Sequence, residues 1–137
     1  MAVKKKTVIK AQWTFRGKVD IPIPENAIGF VYIIKVIGTP FYYYGKKNLT
    51  STKGRGKKAV VKESTWRNYE SSSKEIKELV KNGAVISKEI LDFAFSKSEL
   101  TLLESQKILC SGALTDCNSL NRWISCKIFQ RHLIKKE

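Results

Sequence analysis

The chain is poor in several residue types, and each scarcity removes a class of explanation. Its 137 residues hold one histidine, His132, and three cysteines, Cys110, Cys117 and Cys126. An odd number of thiols without close pairs does not build a disulfide framework. With His132 they are spaced C-x6-C-x8-C-x5-H, which lacks the C-x2-C knuckle of structural zinc sites. Buried or incidental thiols are therefore expected. No apolar run reaches the length of a bilayer-spanning helix. No long apolar stretch follows Met1-Ala2-Val3-Lys4-Lys5-Lys6, so the N-terminus does not read as a signal peptide. An intracellular, cytoplasmic protein is expected. Acidic residues are also scarce, 12 against 26 Lys and Arg, for a net charge of +14. Such an excess strains the compact state by self-repulsion and points to a polyanionic partner. An anionic membrane surface would attract the same charge, but no basic amphipathic helix with a wide apolar face accompanies it. Nucleic acid is the better partner, against the plainer alternative of a merely basic, soluble surface.

What is present suits one compact domain: the apolar fraction is 42%, enough for a core. The first ten residues read as a basic arm. Residues 12–26 interleave Trp13, Phe15, Ile21 and Ile23 with Pro22 and Pro24, which permits an edge segment but not a central strand. From Ile28 to Ile37 the run is almost continuously apolar and β-branched, as in a strand buried on both faces. Gly38-Thr39-Pro40 is a turn signal and Phe41-Tyr42-Tyr43-Tyr44 a second strand, so residues 28–45 predict a β-hairpin. Between Lys46 and Arg67 stand eight basic residues (Lys46, Lys47, Lys53, Arg55, Lys57, Lys58, Lys62, Arg67) and one acid, Glu63. With Gly54 and Gly56, residues 46–64 read as a mobile loop, and residues 46–67 should supply phosphate contacts rather than base readout. Trp66 and Tyr69 read most simply as core. Ser71-Ser72-Ser73 offers caps to a helix carrying Ile76, Leu79 and Val80 and ending near Gly83. Residues 84–95 predict a third strand. Ser96 to Glu99 matches a capping box ahead of a helix to about Cys110. Residues 111–126 read as loop and turn. The expected fold is α+β, a small, mostly antiparallel sheet opened by the hairpin and flanked by helices. Its organisation would be a basic arm and extended segment over 1–27, a domain over 28–126 and a basic tail over 127–137.

The hairpin carries a resemblance. Gly29-Phe30-Val31-Tyr32 stands where a G-I-Y motif would, and Tyr43-Tyr44-Gly45 is similar to Y-I-G, with Tyr32 and Tyr43 eleven positions apart. Gly45-Lys46-Lys47-Asn48, then Trp66-Arg67-Asn68-Tyr69 before the serine run, Glu104 on a helix and Asn121 in Leu120-Asn121-Arg122 continue it. Over residues 28–122 the chain resembles the GIY-YIG nucleases, most closely small phage-type members. The first motif departs from the family, reading F-V-Y, and the family's helical arginine has no unambiguous counterpart. Arg55 is nearest by spacing, with Lys53 and Arg67 as rivals.

The resemblance implies a metal-dependent DNA endonuclease, a hydrolase using one Mg²⁺ or Mn²⁺ and no small-molecule cofactor. Homing or phage-encoded activity in a bacterial host would fit it. Glu104 would bind the metal. Tyr32 and Tyr43 would orient or deprotonate the attacking water and hold the phosphate, Lys46 would lower a phenol's pKa, and Arg55 would stabilise phosphate charge. Lys47, Lys53, Lys57, Lys58, Lys62, Arg67 and Asn121 would contact DNA. On the residues alone, Tyr32 and Tyr43 read better as core aromatics. Leu100, Glu104 and Ile108 share one helix face, so Glu104 sits at the edge of the core, is held by a cation, or pairs with Lys107 or Lys88. Two rival functions share the charge: a DNA-binding module without catalysis, and an RNA- or ribosome-associated protein. With little room for a recognition domain, site preference would come from loops and tails, a homodimer or an accessory protein.

Overall fold

The computed structural model describes residues 11–54, 56–58, 60–124, 128 and 130–133. Six strands and two α-helices follow one another in the described chain: β1 (Trp13–Phe15), β2 (Gly29–Val36), β3 (Tyr42–Asn48), β4 (Thr50–Lys53), β5 (Val60–Glu63), α1 (Lys74–Lys81), β6 (Ile86–Ala94) and α2 (Lys97–Cys110). The main sheet has the order β1-β6-β2-β3. β2 pairs antiparallel with both β3 and β6, and β1 adds a parallel edge beside β6. The α+β fold with a mostly antiparallel sheet is thus the one the hairpin announced. The sheet begins at Trp13 with β1 as an edge strand, in the segment read as an extended edge, and Pro22 and Pro24 fall after it. One boundary differs. Residues 46–64 are not a loop: β3 continues to Asn48, and β4 and β5 form a separate two-stranded ribbon.

β2 is apolar at every position but the exposed Lys35 because it lies inside the sheet with both faces covered over most of its length. Phe30, Tyr32, Ile34 and Val36 face a core that also holds Trp66 and, from α1, Ile76. Val31 faces the other way, onto Leu100 and Leu103 of α2. Gly29 lets α2 come this close, since a Cβ there would lie 2.7 Å from the Leu100 Cδ2. A β-bulge between Val31 and Tyr32 shifts the register against β6, so Ile90 and Phe93 both reach the Phe30 side. Ser73 caps α1 by accepting from Ile76 N, and Ser96 caps α2 by accepting from Glu99 N. Gly83, with φ +96°, turns the chain out of α1.

The outer edge of β3 is covered. Tyr42 N donates to Asn118 O and Leu120 N to Tyr42 O, which lays residues 118–120 along the strand. The Tyr42 hydroxyl donates to Asp116 Oδ2 at 2.6 Å; that bond holds the phenol protonated, its pKa pushed up to about 12, and draws the Asp116 carboxyl below its usual range. Cys110 and Cys117 are free and exposed. Cys126 lies outside the described residues. Among the described residues, no helix is long and apolar enough to cross a membrane.

Candidate functional site

Strand alternation sorts the side chains of β3. Tyr43, Gly45 and Lys47 share the face of their β2 partners Ile34, Tyr32 and Phe30, whereas Tyr42, Tyr44 and Lys46 point toward α2. Tyr32 stands directly opposite Gly45. A Cβ at Gly45 would run into the Tyr32 hydroxyl and come within 2.9 Å of the Tyr43 ring, so only glycine fits beneath the two phenols. The Tyr32 ring sits 6.3 Å from that of Tyr43 and 6.0 Å from that of Tyr69, centroid to centroid. It is wholly buried, and its hydroxyl has no hydrogen-bond partner among the described residues, although the hydroxyls of Tyr69 and Ser71 are its polar neighbours. Burial, with like-charge influence from Tyr69, pushes this phenol far above its ordinary range. Tyr43 is half-buried and shares a 3.2 Å hydrogen bond with Ser72 Oγ. Burial raises its pKa too, and the Glu104 charge adds to the rise.

The turn carrying the serines is strained. Ser71 is buried at φ +146°, and its Oγ accepts from Ser73 N at 3.0 Å. A non-glycine residue in such a region costs about 1–3 kcal/mol and persists where surrounding packing imposes it. Here the packing is the wall that Tyr69 and Ser72 form beside the tyrosine pair.

Glu104 enters from α2. It lines one pocket of about 520 Å³ with Tyr43, Lys46, Ser72, Asn121 and Trp123. Burial raises its pKa above the usual glutamate value, and the Lys46 charge partly offsets the rise. Lys46 Nζ donates to Thr101 Oγ1 at 3.0 Å, one helical turn from Glu104. The two lysines expected as partners of Glu104 bond other groups: Lys107 pairs with Asp92 at 3.0 Å, and Lys88 Nζ donates to Tyr69 O at 2.8 Å. The pocket's other carboxylate, Glu75, is neutralised by the Arg122 guanidinium, with both oxygens accepting at 3.0 Å. Glu104 is therefore the carboxylate that the pocket leaves without a hydrogen bond or ion pair among the described residues. Among the described residues, no group of three or more His, Cys, Asp or Glu side chains assembles there. A lone, desolvated carboxylate in a pocket of this size suits a hard cation that keeps most of its ligands as water and phosphate oxygens.

The structure thus brings Tyr43, Lys46, Glu104 and Asn121 to one pocket and sets Tyr32 behind Tyr43, outside the lining. Lys46 stands on the strand face opposite to Tyr43 and acts on Glu104; it is not among the groups that move either phenol's pKa. Asn121 is an anchor rather than a free recognition group: Nδ2 donates to Tyr44 O at 2.8 Å and Oδ1 accepts from Tyr44 N at 2.9 Å. Lys47 Nζ lies 4.4 Å over the Tyr69 ring. Arg67 pairs with Glu63 at 3.0 Å and stacks on Trp66. Lys57 and Lys62 are exposed on the ribbon and its tip, where Lys53 and Lys58 also fall in the chain. Arg55 lies outside the described residues. Sequence reasoning passed over Ser72, Arg122 and Trp123. An unused signal for the last was an aromatic next to an arginine, just past Asn121.

A family model described as "Putative endonuclease segE, GIY-YIG domain" matches residues 13–128. Neither the curated proteins nor the solved structures gave a match.

Proposed function

The chain belongs to the GIY-YIG nuclease family, and on that footing we propose that it is a DNA endonuclease that hydrolyses phosphodiester bonds with a single divalent metal, Mg²⁺ or Mn²⁺. The observation that supports this reading best is the meeting of Tyr43, Lys46 and Glu104 in one pocket. Water's oxygen bonds to phosphorus, the bond to the 3′ oxygen breaks, and that oxygen leaves as a hydroxyl while the phosphate stays on the 5′ side. Glu104 would hold the cation, which would supply positive charge to the phosphate and acidity to a water. Lys46, tethered by Thr101, adds a second positive charge beside Glu104 and so serves the phosphate rather than a phenol. Because burial raises both pKa values, Tyr32 and Tyr43 stay protonated through the neutral range; Tyr43, in the pocket lining, orders water and phosphate by hydrogen bonding, and Tyr32 backs it from the core. Asn121 and Gly45 hold β3 in the shape this needs. Lys47 and Lys57, with Lys53, Lys58 and Arg55 in the same basic stretch, supply phosphate contacts, and Lys62 meets the DNA from the ribbon.

The test is supercoiled-plasmid cleavage. Nicking or linearisation should require Mg²⁺ or Mn²⁺, stop in excess EDTA, and be lost in Glu104→Gln, while Glu104→Gln still binds DNA. Full activity in EDTA would sink the metal assignment. Binding without any cleavage by the wild type would leave a DNA-binding module.

A further inference from the structure

β4 and β5 pair only with each other in the described structure. Their register matches Thr50 with Glu63, Ser51 with Lys62 and Thr52 with Val61. Alternation then puts Thr50, Thr52, Val61 and Glu63 on one face and Ser51 and Lys62 on the other. All six are exposed, Val61 to 65%. A two-stranded hairpin bare on both sides is marginally stable on its own, so this one depends on its root. Leu49, buried between β3 and β4, donates to Ile28 O at 2.9 Å and accepts from Ser64 N at 2.8 Å. The Ser64 hydroxyl donates to Asn48 O, and the Glu63 carboxylate accepts from Trp66 Nε1 and Arg67 Nε at 3.0 Å each. The ribbon is fixed where it leaves the domain and uncovered beyond.

We propose that the β4–β5 ribbon enters a groove of duplex DNA and reads base edges beside the cleavage site. This rests on the DNA endonuclease reading. Two strands about 4.8 Å apart, with their side chains, present a body roughly 10 Å across, and the B-DNA major groove is about 12 Å wide and admits a two-stranded β-ribbon. Four residues span about 13 Å, close to four base steps of about 3.4 Å. The same arithmetic sets the offset: Lys46 in the pocket and Thr50 at the start of the ribbon are four extended residues apart, again about 13 Å or roughly four base pairs. The positive charge of the basic stretch matches the polyanion, and the bare side chains match the bases. The Val61 and Thr methyl groups suit the thymine methyl, Thr and Ser hydroxyls bond either donors or acceptors, and Lys62 suits the guanine O6 and N7. Phosphate contacts alone, expected from the run of cations, leave the exposed Thr50, Thr52 and Val61 without a task.

The full chain is used to digest a plasmid library randomised around one region, and the cut ends are sequenced. The expected result is a base preference about four to eight base pairs to one side of the cut. One of the pairs Thr52→Ala with Val61→Ala, or Ser51→Ala with Lys62→Ala, should weaken that preference about 10-fold, within the range for a single base contact. In parallel, duplexes bound by Glu104→Gln protein are selected from the same library, with and without the ribbon substitutions. Absence of any preference, a preference unchanged in both pairs, or an equal fall on every sequence overturns base reading by the ribbon. If the wild type cleaves nothing in Mg²⁺, the nuclease reading falls, and the bound-duplex selection still decides on the ribbon.

Discussion

Replacing Tyr32 by Phe removes one oxygen from the interior, and its two consequences are expected to carry opposite signs. The hydroxyl is buried and has no hydrogen-bond partner among the described residues. A desolvated polar group left unpaired costs about 1–3 kcal/mol. The Tyr69 and Ser71 hydroxyls close by soften that penalty, which places the expected gain for Tyr32→Phe at the low end, about 1 kcal/mol. For a domain of this size that corresponds to roughly 3 °C in Tm. Cleavage should move the other way, falling by ~10²-fold or more, the range for a positioned acid–base group, because Tyr32 holds Tyr43 in place. Tyr43→Phe is the comparison. Its hydroxyl already bonds Ser72, so its removal should lose no more than about 1 kcal/mol of stability while also slowing cleavage. Thermal melts and single-turnover cleavage on both variants measure the two quantities separately. Normal cleavage by Tyr32→Phe would reduce that tyrosine to a core aromatic. A lowered Tm would mean that the hydroxyl has a partner in the folded protein, and the argument from its desolvation would fail.

Further expectations concern charge. If ionised Glu104 is needed, the acid limb of the cleavage–pH profile should lie above the ordinary glutamate value of 4.5, because burial raises its pKa. Lys46→Ala removes the charge that lowers it and should shift the limb to higher pH; an unmoved limb would separate the two residues. The same shift sets a stability pattern without metal. A carboxyl whose folded pKa is raised loses stability as pH climbs from the unfolded value through the folded one, since the fold then has to hold a desolvated charge. Glu104→Gln should therefore melt higher than the wild type above that window and together with it below, as read by denaturation at several pH values. Replacing Lys57 and Lys58 by Ala should lower DNA affinity alike on all sequences and flatten the slope of log affinity against log salt by roughly 1.8, about 0.9 for each phosphate that is no longer neutralised. An unchanged slope would take both lysines off the phosphate backbone.

The legible parts of the fold are those where one physical cause dominates. A short apolar run rich in β-branched residues and closed by a Gly-Thr-Pro turn suits a strand covered on both faces, and β2 is one. The serines at 73 and 96 cap helices because nothing else at those positions can accept from the first-turn amides. Alternation placed Tyr43 with Gly45, and the structure keeps them together. The ribbon was illegible because both of its faces are exposed, so Thr50-Ser51-Thr52 carries no apolar period. Tyr32 could be identified by its spacing from Tyr43, but its burial depends on Tyr69 and Ser71, from a turn some forty residues away. Lys46 could be found as a cation next to Gly45, but its bond to Thr101 depends on how α2 crosses the sheet. Asn121 was visible as a residue and opaque as an anchor, because its partner is the backbone of Tyr44, and backbone leaves no mark in composition.

The three tryptophans have an optical consequence. Trp13 and Trp66 are closed in the core at 4% and 2% exposure, and Trp13 Nε1 donates to Trp66 O, whereas Trp123 stands 73% exposed at the rim of the pocket. Their emission divides into a blue, shielded pair and one red, water-facing indole. Iodide would quench the outer indole and spare the inner two, and anything seated in the pocket would screen that quenching. One fluorescence spectrum, read with and without iodide, would then follow occupancy of the pocket and integrity of the core as separate signals, with no label attached.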